Sequence, residues 1–170
     1  MTDSPQWGKP RSRTVTWYDP FAAAAAGRTL SGREYLQAVA DGRLAPPPIA
    51  ALLGFGLTEV GDGEVRFTAT PDESVYNPIG LVHGGLVSTL LDSVVGCAVH
   101  TTLPAGTAYS SIEIKVNFLR PVHADTGELH AHGWVTKPGR RVAFAEGDVR
   151  DGAQKLLATA SSSLLILASP

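Results

Sequence analysis

The stretch HGGLVSTLLDSVVGCAVH, residues 83–100, limits the possible folds of this chain more than any other segment. Sixteen residues separate its two histidines, nearly all apolar or small, and the one charged residue among them is Asp92. A helix that is apolar nearly all round must be covered on most sides. The rest of the chain therefore has to wrap around it. Read as a membrane span the stretch is too short, carries Asp92 and is rich in Gly and Ser, so no membrane partner is expected. Asp92 poses the problem. Burying an unpaired carboxylate costs several kcal/mol or forces it to take up a proton. The acid either faces a polar cavity or performs a function.

The wrapping material is strand-like. In SSIEIKVNFLRP, Ile112, Ile114, Val116 and Phe118 alternate with Glu113, Lys115 and Asn117, giving one apolar and one wet face. GELHAHGWVTK, RRVAFAEGDVR and QKLLATASSSLLIL predict three more strands, with turns at Lys137-Pro138-Gly139 and Asp151-Gly152. Upstream, GFGLTEVGDGEVRFTATP reads as a hairpin turning at Gly61-Asp62-Gly63.

Before the hairpin lies SGREYLQAVADGR, where Ser31 and Glu34 have capping-box spacing, Leu36, Val39 and Ala40 form a stripe, and Gly42 is a stop. A proline run breaks that helix, and Ile49 to Leu53 add one short helical turn. The alanine run 22–26 is too short to stand alone, and residues 1–20, with Pro5, Pro10 and Pro20, read as a loose arm. The fold class is α+β: a curved antiparallel sheet wrapped around one long central helix over residues 45–170, preceded by an arm with a short helix over 1–44. A length of 170 residues suits one domain with a proper core. The net charge of −2 offers no field for nucleic acid or anionic membrane. The single cysteine, Cys97, cannot make an internal disulfide, no leader is visible in MTDSPQWGKPRSRT, and a cytoplasmic location is expected.

Chemistry concentrates at NPIGLVHGG, where loop meets helix. A helix start exposes backbone N–H groups without intrahelical partners, and the macrodipole adds partial positive charge. Gly84 and Gly85 let another group approach those donors, unless the glycines merely solve a steric problem. Asp92 lies eight residues further on, about 12 Å along the axis. Both reach one reacting carbon only if two copies of the helix pack antiparallel, which makes the site shared across a dimer. Alternatively Asp92 bonds to Ser88, Ser93 or Ser111, or faces a wet interface. His83 either orients the loop or holds a carbonyl. His100, His123, His130 and His132 show no ligand spacing, so no metal is expected, and nothing near Cys97 would activate it as a nucleophile. Lys137, Arg140 and Arg141 form a basic turn that is either solvated or grips phosphates.

Taken together, Asn77, Gly80 and the run from His83 through Gly84 and Gly85 to Asp92 resemble the signature of PaaI-like hotdog-fold acyl-CoA thioesterases. YSSIEIKVNFLRPV and KPGRRVAFAEGDVRDGAQKLLATASS are similar to the strands that follow it in that family. The resemblance implies a dimer with a continuous sheet, often paired into tetramers, and an acyl-CoA substrate. It implies Asp92 as general base or nucleophile, Gly84 as backbone donor to the thioester oxygen, and Asn77 as the residue positioning the nucleophile or water. His83 would support the thioester end, Ser111 would help hold the water, and Lys137, Arg140 and Arg141 would meet the nucleotide phosphates. No cofactor is implied. The alternative is a non-catalytic acyl-CoA or acyl-carrier binding module; a dehydratase would want a differently placed His/Asp or His/Glu pair.

Overall fold

The apolar stretch forms one helix, α4 (Gly84–Thr101), in a computed structural model that describes residues 7–167. The first six residues of the expected arm, Pro5 among them, and residues 168–170 lie outside the described residues. At its end the hydroxyls of Thr101 and Thr102 donate back to the Ala98 and Val99 carbonyls, and Pro104 follows. Among the described residues α4 alone is long and apolar enough to cross a membrane, yet over half of it is buried inside the fold, as in a core helix.

The cover is one six-stranded antiparallel sheet. Its strands are β1 (Phe55–Val60), β2 (Glu64–Ala69), β3 (Ala108–Phe118), β4 (Leu129–Lys137), β5 (Val142–Arg150) and β6 (Leu156–Leu167), in the order β1-β2-β4-β5-β6-β3. This is the hotdog arrangement expected. Gly133 and Gly147 face each other on β4 and β5. A Cβ on Gly133 would stand 2.4 Å from the Val94 backbone, and one on Gly147 3.1 Å from the Val94 side chain. Their absence lets α4 sit directly on the sheet, so Leu90, Leu91, Val94 and Val95 are fully enclosed. Each such side chain contributes roughly 1.5–3 kcal/mol.

Three short helices precede the sheet: α1 (Pro20–Gly27), α2 (Gly32–Ala40) and α3 (Pro48–Leu53). The alanine run does not stand alone. Asp19 caps α1 by accepting from the Phe21 N–H at 2.9 Å, and the Gly27 end lies against Tyr35. The capping box of α2 forms between Ser31 and Glu34. Leu36 joins the main hydrophobic core, so α2 is part of that core rather than an appendage to it. Before α1 the chain crosses the surface, with Arg11 paired to Glu73 and Arg13 donating to the Leu52 carbonyl.

One expectation needs correction. The Ile112–Phe118 alternation is interrupted by a bulge between Ser111 and Glu113. Ile114 and Val116 pack on the core, whereas Ile112 is 58% and Phe118 57% exposed. Asp92, left open between a polar cavity, a hydroxyl partner and a wet interface, is exposed. The chain leaves one seam of α4 open, along Gly85, Ser88, Thr89, Asp92 and Ser93, at spacings of three and four that keep these residues on one face.

Candidate active site

The segment 75–83 is held at both ends before α4 begins. His83 N–H donates to the Val75 carbonyl at 2.8 Å, and Val82 N–H to Val122 at 2.9 Å. Asn77 works inside this loop. Its Oδ1 accepts from the N–H groups of Ile79 and Leu81, both at 3.1 Å. The carbonyl end of this side chain is thus spent on shaping the turn that delivers HGG, while its amide nitrogen makes no hydrogen bond among the described residues.

His83 is the N-cap of α4. Its Nδ1 accepts from Gly85 N–H at 2.8 Å, which satisfies one of the helix's orphan donors. The neighbouring Gly84 N–H has no acceptor among the described residues. Both glycines have steric reasons as well. A Cβ on Gly85 would meet His83 Nδ1 at 2.9 Å, and one on Gly84 the Phe118 ring at 3.0 Å. Phe118 therefore borders the exposed donor. Only its alternation, not any chemical signal, drew attention to it in the sequence.

Two turns along α4, Asp92 accepts a hydrogen bond from Ser111 Oγ at 2.8 Å. The bulge beside Ser111 re-aims the strand there. Ser93 is turned away, donating to the Thr89 carbonyl at 2.7 Å. Of the three serines considered, Ser111 is thus the partner. Behind the pair lies a cavity of about 360 Å³ whose mouth carries Asp92, Ser93 and Ser111. Its walls are mostly apolar and come from α2, α3, β1 and α4, with Tyr35, Leu36, Ile49 and Phe55 among them. The share of α2 was missed because Leu36 read as part of an ordinary helix stripe and Tyr35 carried no signal of its own.

Cys97 also lines this cavity. Burial pushes its thiol up to about 12, against a smaller opposing effect of its hydrogen bond with Tyr109, so it stays protonated and unreactive near neutral pH. The basic turn lies elsewhere. Thr101 Oγ1 accepts from Gly63 N–H, and the Gly63 carbonyl accepts from Val135 N–H, so β4 ends beside the C-terminus of α4. Lys137, Arg140 and Arg141 are exposed there, at the opposite end of α4 from Gly84. Among the described residues no group of His, Cys, Asp and Glu is arranged to hold a metal ion.

The site thus has a helix-start donor and a carboxylate with a hydroxyl partner over an apolar cavity, separated along one helix by about 12 Å. The sequence pattern of the thioesterase superfamily matches residues 79–158, which span α4 and most of the sheet. Human acyl-coenzyme A thioesterase 13 is 32% identical over 106 residues, covering 60% of this chain and 72% of that protein. A thioesterase family protein from Silicibacter pomeroyi superposes with a TM-score of 0.71 at 28% identity, covering 79% of this chain and 99% of that one. The E. coli PaaI protein of the phenylacetic acid degradation operon superposes with a TM-score of 0.70, covering 83% of this chain and 98% of that one; at 22% identity this likeness concerns the fold.

Proposed function

The chain belongs to the thioesterase superfamily and has the hotdog fold of PaaI-like thioesterases, and on that premise we propose that it hydrolyses an acyl-CoA thioester to the free acid and CoA. The observation that carries this reading is the Asp92 carboxylate, held by Ser111 at 2.8 Å on the rim of an apolar cavity. The thioester carbonyl receives a hydrogen bond from the free Gly84 N–H, where the helix dipole favours the charge that develops on oxygen. Asp92 acts at the carbonyl carbon in one of two ways. As general base it takes a proton from water while the water oxygen bonds to carbon; as nucleophile it forms an anhydride that water then opens. Either way the C–S bond breaks and the thiolate leaves to be protonated. Asn77 shapes the loop and keeps an amide donor for the water or nucleophile, and Ser111 orients the carboxylate.

One chain cannot bring Gly84 and Asp92 to the same carbon, so the proposed site is shared by two copies. The open seam of α4 supports this. A two-fold axis beside Ser88 and Thr89 sets each Asp92 opposite the Gly84-Gly85 turn of the second copy. Among the described residues strand β3 ends the sheet with its outer edge unpaired and Ile112 and Phe118 exposed, which suits continuation into a second sheet. The same antiparallel pairing carries the basic turn of Lys137, Arg140 and Arg141 toward the second copy's Gly84 end, where nucleotide phosphates would lie. Further pairing into tetramers and a cytoplasmic location belong to the same proposal.

The test is free-thiol release from a panel of aryl and straight-chain acyl-CoAs, with Asp92→Asn beside the wild type. The variant is expected to stay folded and to lose about 10²–10⁴-fold in kcat. Retained turnover removes Asp92 from the chemistry. Silence of the wild type, with acyl-CoA bound, would make the protein a binding module.

A further inference from the structure

The cavity behind Asp92 is bordered by aromatic rings as well as by aliphatic side chains. Its far wall is made of three rings, Tyr35 from α2, His100 from α4 and Tyr109 from β3, and the same three rings line a second cavity of about 500 Å³ on the other side. Ala24 and Gly27 of α1, with the following Arg28, border that second cavity. The rings meet in series at tilted angles of 47° and 51°, with centroids 5.6 Å apart for Tyr35 and His100 and 5.3 Å for His100 and Tyr109. We propose that these rings are the end wall of the acyl pocket, and that Tyr35, carried by α2, sets the length of acyl group the protein accepts. This rests on the thioesterase reading above.

The wall is fixed relative to Asp92. Gly32 N–H donates to the Leu103 carbonyl at 3.0 Å, and a Cβ on Gly32 would overlap the His100 carbonyl oxygen, so α2 is seated directly on the end of α4. Behind Tyr35, α1 approaches so closely that a Cβ on Gly27 would stand 3.0 Å from the ring. From Asp92 to His100 is eight residues of helix, about 12 Å. An extended chain advances about 3.3–3.6 Å per three bonds, so about ten carbons span the rise from Asp92 to His100. Burial keeps His100 neutral and the Tyr35 and Tyr109 phenols protonated at neutral pH. The wall therefore faces an uncharged acyl end, not a second carboxylate.

The experiment measures kcat/KM for straight-chain acyl-CoAs of four to sixteen carbons, and in parallel the binding of the same series to Asp92→Asn protein. Wild type is expected to fall at least tenfold between ten and sixteen carbons. Tyr35→Ala joins the two chambers and is expected to recover most of that loss, whereas Tyr35→Phe changes nothing. Ala24→Trp, at an exposed position on the second chamber, is expected to leave the wild-type profile alone and to cancel the gain of Tyr35→Ala. Wild type that handles sixteen carbons as well as eight overturns the proposal, as does a folded Tyr35→Ala protein with an unchanged profile. Should Tyr35→Ala not fold, Ala24→Trp still decides: if it shortens the wild-type range, the acyl chain already passes the rings. Binding with this length limit but no turnover overturns hydrolysis and keeps the wall; neither binding nor turnover overturns both.

Discussion

His83 caps α4, and two substitutions separate that structural role from the catalytic one proposed for it. With Nδ1 accepting from Gly85 N–H, the neutral ring carries its proton on Nε2, which leaves one donor for a substrate. His83→Ala loses the cap and is expected to cost about 1 kcal/mol in urea unfolding, while His83→Asn, a good N-cap, keeps the stability. If the imidazole supports the thioester, the Asn variant still loses turnover; full activity in it would reduce His83 to a cap. Cys97 gives a second test at this scale. Its folded-state value is raised to about 12 from an ordinary 9.0, so above pH 9 the unfolded chain releases a proton that the folded chain keeps. Stability is therefore complete below about pH 9 and falls as pH rises towards 12. Urea midpoints from pH 8 to 11 check this, and a Cys97→Ala protein should show a shallower decline. The candidate residues were legible because HGG and a lone acid are unusual in an apolar stretch. Asp92's exposure was not, since hydropathy reports neighbours in sequence and not the single face that one chain leaves open.

At the scale of elements, period 2 located the strands, a capping box and apolar stripe located α2, and unbroken apolarity located α4. The bulge in β3 was invisible to that reading. Ile112 is apolar and keeps the alternation going, yet it is the extra residue, and only the register with β6 reveals it. The packing of α2 was equally unreadable, since a capping box and a stripe say that a helix forms but not what it leans on. Gly32 makes that packing testable. A Cβ there overlaps backbone of α4, whereas one on Gly133 strikes the Val94 backbone under the middle of the sheet. Gly32→Ala is expected to dislodge α2 at a cost of about 1–3 kcal/mol, leaving α4 and the sheet intact. Hydrogen exchange should then rise over residues 32–40 and little elsewhere. Gly133→Ala should instead raise exchange throughout the sheet. Uniform exchange in Gly32→Ala protein would mean that α2 and the sheet unfold as one unit.

For the whole molecule, the seam on α4 and the distance along it decide how many chains a working site needs. Gly84 and Asp92 lie on one face but about 12 Å apart, too far for one carbonyl carbon to touch both. The proposed pair of antiparallel copies would remove the conflict and create two identical sites, each with its donor from one chain and its carboxylate from the other. Complementation follows from that geometry. Gly84→Pro removes the donor at N1, where proline is tolerated, and the extended backbone of His83, at φ −63° and ψ 134°, suits a residue preceding proline. Each variant alone, Gly84→Pro or Asp92→Asn, is expected to be nearly inactive. A heterodimer of the two keeps one site with an intact Gly84 and an intact Asp92, and one site lacking both. Random pairing makes half the dimers mixed, so recovery should approach about a quarter of wild-type activity per chain. Co-purification through two different tags verifies the pairing, and activity per mixed dimer should then approach half. If verified heterodimers stay silent, donor and carboxylate serve the same chain's site, and an antiparallel seam is not where the thioester binds.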